Sequence, residues 1–433
     1  MTPGNLADRW SEQARRVQFP DAPGWLQQLR SRALTDFSQG GLPHRKVEAW
    51  KYTPMRRIEA LDPMLPAADT DLRHEGAFPD ALLPEKPVLT MLDGEPAGAL
   101  PELPDGVTLL DFNAALERFE SRLRGMAEEV NTAGPAQAFA ALNTAYIHRG
   151  LVLHVAAGVD AGDLLVQWAF SGHAEARLDF ARLFVLMEEG SELNLVEHFE
   201  SSAAASGALS VILQTELGAG ARLCHVRVQR ENDESVLLTS TTARQAAGSH
   251  FAYRGFDLGG GLVRHELTAV LAGEEAHCDL AGACVLDGSR HGDTRVCVDH
   301  VAPGCSSEQF FRGVLGGKSR GVFNGRAMIA EGADGSSVRQ SNANLLLSRL
   351  AEMDTKPELE IYADEVEASH GATVGQLDET AIFYLRTRGL SEAEARRLLT
   401  AAFCHTVTSK LDDQGLAESV GAMVDAAMPE SEQ

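Results

Sequence analysis

The sequence predicts a mainly β protein built on a coiled β-solenoid, with helical segments before and after it. Three observations carry this. Between about Gly150 and Leu347 the chain reads as short, β-prone runs bounded by Gly or Asp, such as Leu151-Val-Leu-His-Val155 and Leu164-Leu-Val-Gln-Trp168. Within that stretch a turn residue, a small residue and then an apolar one recur: Gly190-Ser-Glu-Leu193, Gly220-Ala-Arg-Leu223, Gly248-Ser-His-Phe251, Glu275-Ala-His-Cys278 and Gly335-Ser-Ser-Val338. The first four lie about 27–30 residues apart, and the last falls about two periods further on, past a degenerate copy near Gly304-Cys-Ser-Ser307. A fixed period in this range marks stacked supersecondary units, each of which buries its apolar row only against its neighbours. The units are strand-rich and carry no leucine-rich or helical-hairpin consensus, which favours a β-helix. In that register Leu193, Leu223, Phe251, Cys278 and Val338 form one inward column. A β-sandwich with irregular hairpins is the alternative, but it does not need so regular a turn spacing.

The remaining elements follow in chain order. Leu6, Trp10 and Ala14 recur at helical spacing, and Trp25, Leu26 and Leu29 start a second helix after Pro23-Gly24, stopped by Gly40-Gly41. Pro54 to about Pro104 is richer in proline and weakly periodic, so loops with short strands are expected. Phe112–Tyr146 is helical again, broken at Gly134-Pro135. After the solenoid, Asp378–Thr387 is a helix ended by Gly389 as its C′ residue. Ser391 caps a longer helix, with Glu394 completing an S-x-x-E capping box. Leu398, Leu399, Ala402, Phe403, Val407 and Leu411 give it an apolar stripe. A third helix covers Leu416–Met428. The division is therefore 1–149 helical and mixed, 150–377 solenoid, and 378–433 helical.

Composition bounds the function. The chain has 433 residues, 44% of them hydrophobic, enough for a substantial core. Its 62 acidic against 38 basic residues leave a formal charge of -24, which disfavours nucleic acid and anionic membranes. The start, MTPGNLADRW, shows no signal-peptide pattern, and no apolar run is long enough to span a bilayer, so the cytoplasm is expected. Of the six cysteines none forms a CxxC pair, so small buried thiols are expected rather than a zinc site or a disulfide framework.

Few constellations carry chemistry. His198, His225, His250 and His277 fall near the solenoid period, but measured from the turn only His250 and His277 align, which argues against a metal-binding ladder. Cys278 and Cys305 lie about one coil apart and could stack at strand spacing. Cys278 falls in the apolar column, whereas Cys305 follows a Pro303-Gly304 turn and is the better candidate for an accessible thiol. GxxxxGK[ST], GxSxG and HExxH are all absent, so the chain has no nucleotide loop or self-contained active site of these kinds. A β-helix carbohydrate-active enzyme is the competing functional class. It needs carboxylates on one groove across successive coils. Asp364-Glu365 has no matching acidic position one period upstream in this reading, and aromatics are 6%. The segment Lys356–Asp378 is the densest: a strand at Leu359–Tyr362, an acidic turn, then an extended run through His370-Gly371. An imidazole flanked by Asp364, Glu365 and Glu367 suits iron ligation or proton handling, and equally an ordinary solvated loop.

At this segment the sequence resembles the SufB/SufD family of iron–sulfur cluster assembly proteins. The resemblance rests on Val322-Phe-Asn-Gly-Arg326, Asn344-Leu-Leu-Leu-Ser348, Lys356-Pro-Glu-Leu-Glu-Ile-Tyr362, Ala368-Ser-His-Gly-Ala-Thr373 and Phe383-Tyr-Leu-Arg-Thr-Arg-Gly389. His300, Pro303, Cys305–Ser307 and Phe311-Arg312 follow the same pattern. Glu48-Ala-Trp-Lys-Tyr-Thr53, and the lack of a SufB-type cysteine array, place the resemblance on the SufD side. It is loose over the whole chain and tight over about Val296–Thr406.

The resemblance implies a right-handed parallel β-helix with flanking helices, and a non-catalytic scaffold subunit rather than an enzyme. It implies pairing with SufB through the β-helix and docking of the ATPase SufC on the C-terminal helices, or a homodimer when the chain is alone. SufC supplies the nucleotide site this chain lacks. The cargo is a transient iron–sulfur cluster at the subunit interface. His370 matches the family histidine at that interface and is expected to be an iron or cluster ligand, with Cys305 a second cofactor-binding candidate. Family members on the SufD side often carry a cysteine two residues before the histidine. Here that position is Ala368, so the loop offers an imidazole and no thiolate. No flavin motif is evident.

Overall fold

The computed structural model describes residues 5–17, 22–67, 81–147, 150–170, 176–201 and 206–429. Helix α1 (Leu6–Arg16) starts where the Asn5 side chain accepts the Asp8 N–H. Helix α2 (Gly24–Gly40) follows Pro23 and stops at Gly41, whose φ of 67° suits glycine. The stretch from Pro54 holds a short helix, α3 (Arg56–Leu61), that its weak periodicity does not announce. It also holds the expected short strands, β1 (Val88–Leu92) and β2 (Glu95–Pro96), while 68–80 lie outside the described residues. Strand β3 (Val107–Asp111) leads into α4 (Phe112–Glu129), capped by Asp111, and α5 (Ala138–Ala145) follows the Gly134-Pro135 break.

A parallel β-solenoid occupies the centre. Its strands are β4 (Leu151–Val155), β5 (Asp160–Phe170), β6 (Leu178–Met187), β7 (Glu192–Ser201), β8 (Gly207–Leu217), β9 (Arg222–Gln229), β10 (Ser235–Gln245) and β11 (His250–Asp257). They continue as β12 (Leu262–Leu271), β13 (His277–Leu286), β14 (His291–His300), β15 (Ser306–Leu315), β16 (Arg320–Ile329), β17 (Ser337–Leu346), β18 (Glu352–Ile361) and β19 (Glu367–Gly375). Odd strands from β5 to β19 pair in parallel in one sheet, and even strands from β4 to β18 in the other. At the N-terminal end β1 and β3 extend the two sheets, β3 antiparallel to β4. At the other end β18 and β19 have no further strand beside them among the described residues.

The turn repeat has a backbone cause. Gly190, Gly220, Gly248, Gly304 and Gly335 all take left-handed φ, between 63° and 74°, and Glu275 takes 58° at the equivalent position. An L-residue is strained there and glycine is not, which makes the period visible in sequence. The turns stack through backbone bonds: Gly220 N–H donates to Ala247 O, Gly304 N–H to Asp334 O and Gly335 N–H to Glu365 O. Leu193, Leu223, Phe251, Cys278, Ser307 and Val338 are successive register partners, all buried, so the predicted column exists and Ser307 is its degenerate member.

Helices cover both outer faces. Trp10, Phe37, Trp50 and Phe139 pack on Leu178, Ala208, Val236 and Leu262 of the even sheet. The Glu48–Thr53 segment is fastened there. Trp50 Nε1 donates to Ala136 O at 3.0 Å, the Arg264 guanidinium lies 4.1 Å over the Trp50 ring, and Thr53 Oγ1 donates to Asp293 Oδ2 at 2.5 Å. At the C-terminus are α6 (Glu379–Thr387), α7 (Glu392–Thr408) and α8 (Gln414–Ala427). Both halves of the Ser391–Glu394 capping box form, and Gly389 has φ 100°. Cys404 and Val407 of α7, Leu411 after it, and Val420 and Val424 of α8 pack on Val228, Phe256, Ala283 and Val314 of the odd sheet. Each such aliphatic side chain contributes about 1.5–3 kcal/mol when fully buried.

Candidate functional site

The site candidate lies at the open end of the solenoid. Among the described residues strand β19 pairs with β17 on one side only, and eight of its nine residues, His370 among them, are exposed. An exposed strand edge presents N–H and C=O groups to another chain. His370 is the register partner of Gln340, and Ala368 of Val338. Because Val338 belongs to the inward column, Ala368 and His370 share the lumen-facing parity, and His370 stands at the mouth of the lumen. No group of three or more His, Cys, Asp and Glu side chains able to hold a metal ion occurs among the described residues.

The lumen behind this mouth is partly polar, which the repeat spacing alone does not announce. Glu197 accepts the Trp168 indole N–H at 2.9 Å and bonds His225 Nε2 at 2.8 Å. Tyr253 meets His225 edge-on and stacks on His265 with ring centroids 5.4 Å apart. Burial holds the His265 imidazole well below its ordinary pKa, and its Nδ1 bonds Thr239 Oγ1 at 2.7 Å. Arg227 donates to Asp257 at 2.6 Å. Toward the open end a void of about 30 Å³ is lined by residues including Tyr253, Asp257, Cys284, Thr294, Asn342 and Asn344. Asn344 Nδ2 donates to Asn342 Oδ1 at 2.7 Å, which also accepts from Thr355 at 2.8 Å. The column that ends in His370 is polar but for Leu280: His225, Tyr253, Leu280, Gln309, Gln340, His370 in register order. Each stands five residues after a turn position, so counting on from the turns was the available signal.

Other sequence candidates are placed differently. Cys305 is fully buried, its Sγ 3.3 Å from Gly273 O, and burial raises its pKa. It is not the accessible thiol its turn suggested, because the turn folds its side chain inward. Nor does it stack on Cys278, whose register partner is Ser307. His250 and His277 are register partners with rings 4.7 Å apart, as their alignment predicted, and His277 Nδ1 bonds Ser306 Oγ at 2.7 Å. Asp364 does have an acidic residue one coil upstream, Asp334, contrary to the reading of the period. Asp334 Oδ1 accepts the Asp364 backbone N–H at 3.2 Å, so that carboxylate holds the turn. The α7 stripe is divided. Val407 and Leu411 face the solenoid, while Leu398 stays 50% exposed beside a helix, α6, that exposes Phe383 (66%) and Tyr384 (55%).

With this geometry in place, comparison with known proteins gives a consistent result. Residues 170–403 match the family model described as SUF system FeS cluster assembly, SufBD core domain. The chain is similar to iron-sulfur cluster assembly protein SufD of Escherichia coli (strain K12), 30% identical over 427 residues, covering 95% of this chain and 93% of the relative. It is similar to an iron-sulfur cluster assembly SufBD family protein of Synechocystis, 26% identical, with 86% of this chain and 84% of the relative covered. A third similar protein is SufD of Bacillus subtilis, 24% identical, with 93% and 94% covered.

Proposed function

Since this chain belongs to the SufBD family of iron–sulfur cluster assembly proteins, we propose that it is a SufD-type scaffold subunit whose open solenoid end receives a SufB-type chain and helps hold a nascent cluster. The observation that carries this is the unpaired edge of β19 with His370 on it. A β-strand from SufB satisfies that edge by backbone pairing and brings its own ligands to the lumen mouth. His370 contributes one imidazole, a suitable iron ligand. The cluster is cargo, and one weak attachment from this side of a movable interface suits release as well as assembly. Ala368 adds no donor, so the thiolates come from the partner.

The ATPase SufC docks on the exposed surface of α6 and the start of α7, where Phe383, Tyr384 and Leu398 face outward. Support for this placement is the division of the α7 stripe: the far half is already used against the solenoid. Nucleotide hydrolysis belongs to SufC. Co-expression of this chain with SufB and SufC, followed by anaerobic purification, tests the proposal. A three-subunit complex with visible iron–sulfur absorption is expected. A chain that binds neither SufC alone nor SufC in the presence of SufB overturns it.

A further inference from the structure

Behind His370 the lumen mouth carries two buried amides in register, Gln309 and Gln340. They reach across the lumen to the opposite sheet: Gln340 Nε2 donates to Gly325 O at 3.2 Å and Gln309 Nε2 to Arg326 O at 3.5 Å. Gly325 makes room for this crossing, since a Cβ there would meet Gln309 Oε1 at 2.9 Å. These bonds fix which end of each amide faces the carbonyl, and they leave Oε1 of both buried without a hydrogen-bond partner among the described residues. A buried carbonyl oxygen left unbonded costs about 1–3 kcal/mol, so an unpaired acceptor of this kind calls for a donor. Gln309 does not supply one to Gln340. On the open side the next side chain in the column is His370, one strand spacing away, about 4.8 Å.

We propose that Gln340 is a positioning residue for His370: its Oε1, unbonded in this structure, takes an imidazole N–H once the exposed His370 side chain turns into the lumen mouth, and so fixes the tautomer, leaving the other ring nitrogen with its lone pair at the mouth. This inference rests on the reading of His370 as a ligand only for its purpose; the hydrogen bond itself does not require a cluster. Neutral imidazole carries one donor and one acceptor nitrogen, and whichever donates to a fixed acceptor cannot bind metal. A hydrogen-bonded outer partner also raises the basicity of the free nitrogen, and losing such a partner typically weakens metal binding 10–100-fold. Gln340 thereby sets which nitrogen a partner's cluster meets. Ala368 sharpens the need, because no neighbouring thiolate compensates for a misdirected ring.

The test is nitrogen NMR on the full, metal-free chain labelled at histidine, with the His370 signals assigned by their loss in His370→Gln. At a pH of about 8.5, two units above the ordinary histidine value, the wild type is expected to show one dominant tautomer. Gln340→Met, which keeps the volume and removes the acceptor, is expected to return His370 to the mixture of free imidazole. Gln340→Glu, which keeps an acceptor, is expected to preserve the dominant form. Gln309→Met, two coils away, is the control for general loosening and leaves His370 unchanged. If Gln340→Met is folded and its His370 tautomer ratio matches wild type, the proposal is wrong. If it does not fold, Gln340→Glu decides: a free-imidazole mixture there also overturns it. Failure of this test leaves the ligand reading of His370 standing, whereas a dominant tautomer without any cluster dependence on His370 would refute the ligand reading alone.

Discussion

His370 has its significance by position: an exposed imidazole on the last strand, in a column whose inner members are buried. Replacing it with alanine should lower cluster formation on the assembled complex several-fold while the subunits still co-purify. Absorption and iron content of the purified complex measure this, and loss of assembly would make the residue structural instead. A contrasting case is His198, 1% exposed on β7, its Nε2 3.8 Å from Glu200 Oε2 and neither ring nitrogen hydrogen-bonded among the described residues. Burial, aided by the Arg230 charge, holds it down to about 4. The folded pKa is below the unfolded 6.5, so its contribution is complete above pH 6.5 and is lost as pH falls toward 4. One pKa unit is about 1.4 kcal/mol, so the loss is on the order of 3 kcal/mol. Denaturant unfolding at pH 7 and pH 4.5 should show His198→Leu losing less stability than wild type over that interval. Sequence reading found His370 because the surrounding motif is distinctive. It missed Gln340, because a glutamine on an exposed-looking strand carries no chemical signal until its register is known.

At the scale of elements, the turns and the C-terminal helices carry separate predictions. Left-handed turn positions tolerate glycine alone without strain, so Gly220→Ala should cost on the order of 1 kcal/mol in unfolding free energy. The reciprocal change, Glu275→Gly, should not destabilise the fold despite glycine's greater chain entropy. On α6 and α7, Phe383→Asp with Leu398→Asp should abolish SufC co-purification while circular dichroism and thermal unfolding stay near wild type, because both side chains are exposed. The repeat was legible because backbone geometry forces one residue type at a fixed interval. The same periodic logic found the α7 stripe but not what covers each part of it. A 3.6-residue pattern says that a face is apolar, not which neighbour covers it, and here Val407 and Leu411 meet the solenoid. Helix α3 escaped notice because six residues are too few to show a period.

At the scale of the molecule, the two ends of the solenoid differ. The N-terminal end is extended by β1 and β3, whereas β18 and β19 stop at open edges. Natural sheets protect long edges, and among the described residues β19 has Gly371, Gly375 and an acidic flank at Asp364, Glu365 and Glu367 rather than a further strand. Under the proposed function, this asymmetry gives the chain one direction in which to add a partner. In the proposed assembly a strand of SufB completes β19. Amide hydrogen exchange on the chain, alone and with SufB, tests this most directly. Strong new protection confined to Glu367–Gly375 and the neighbouring β18 is expected, with β1–β3 unchanged. Stable SufB binding with no change in exchange across Glu367–Gly375 would contradict it.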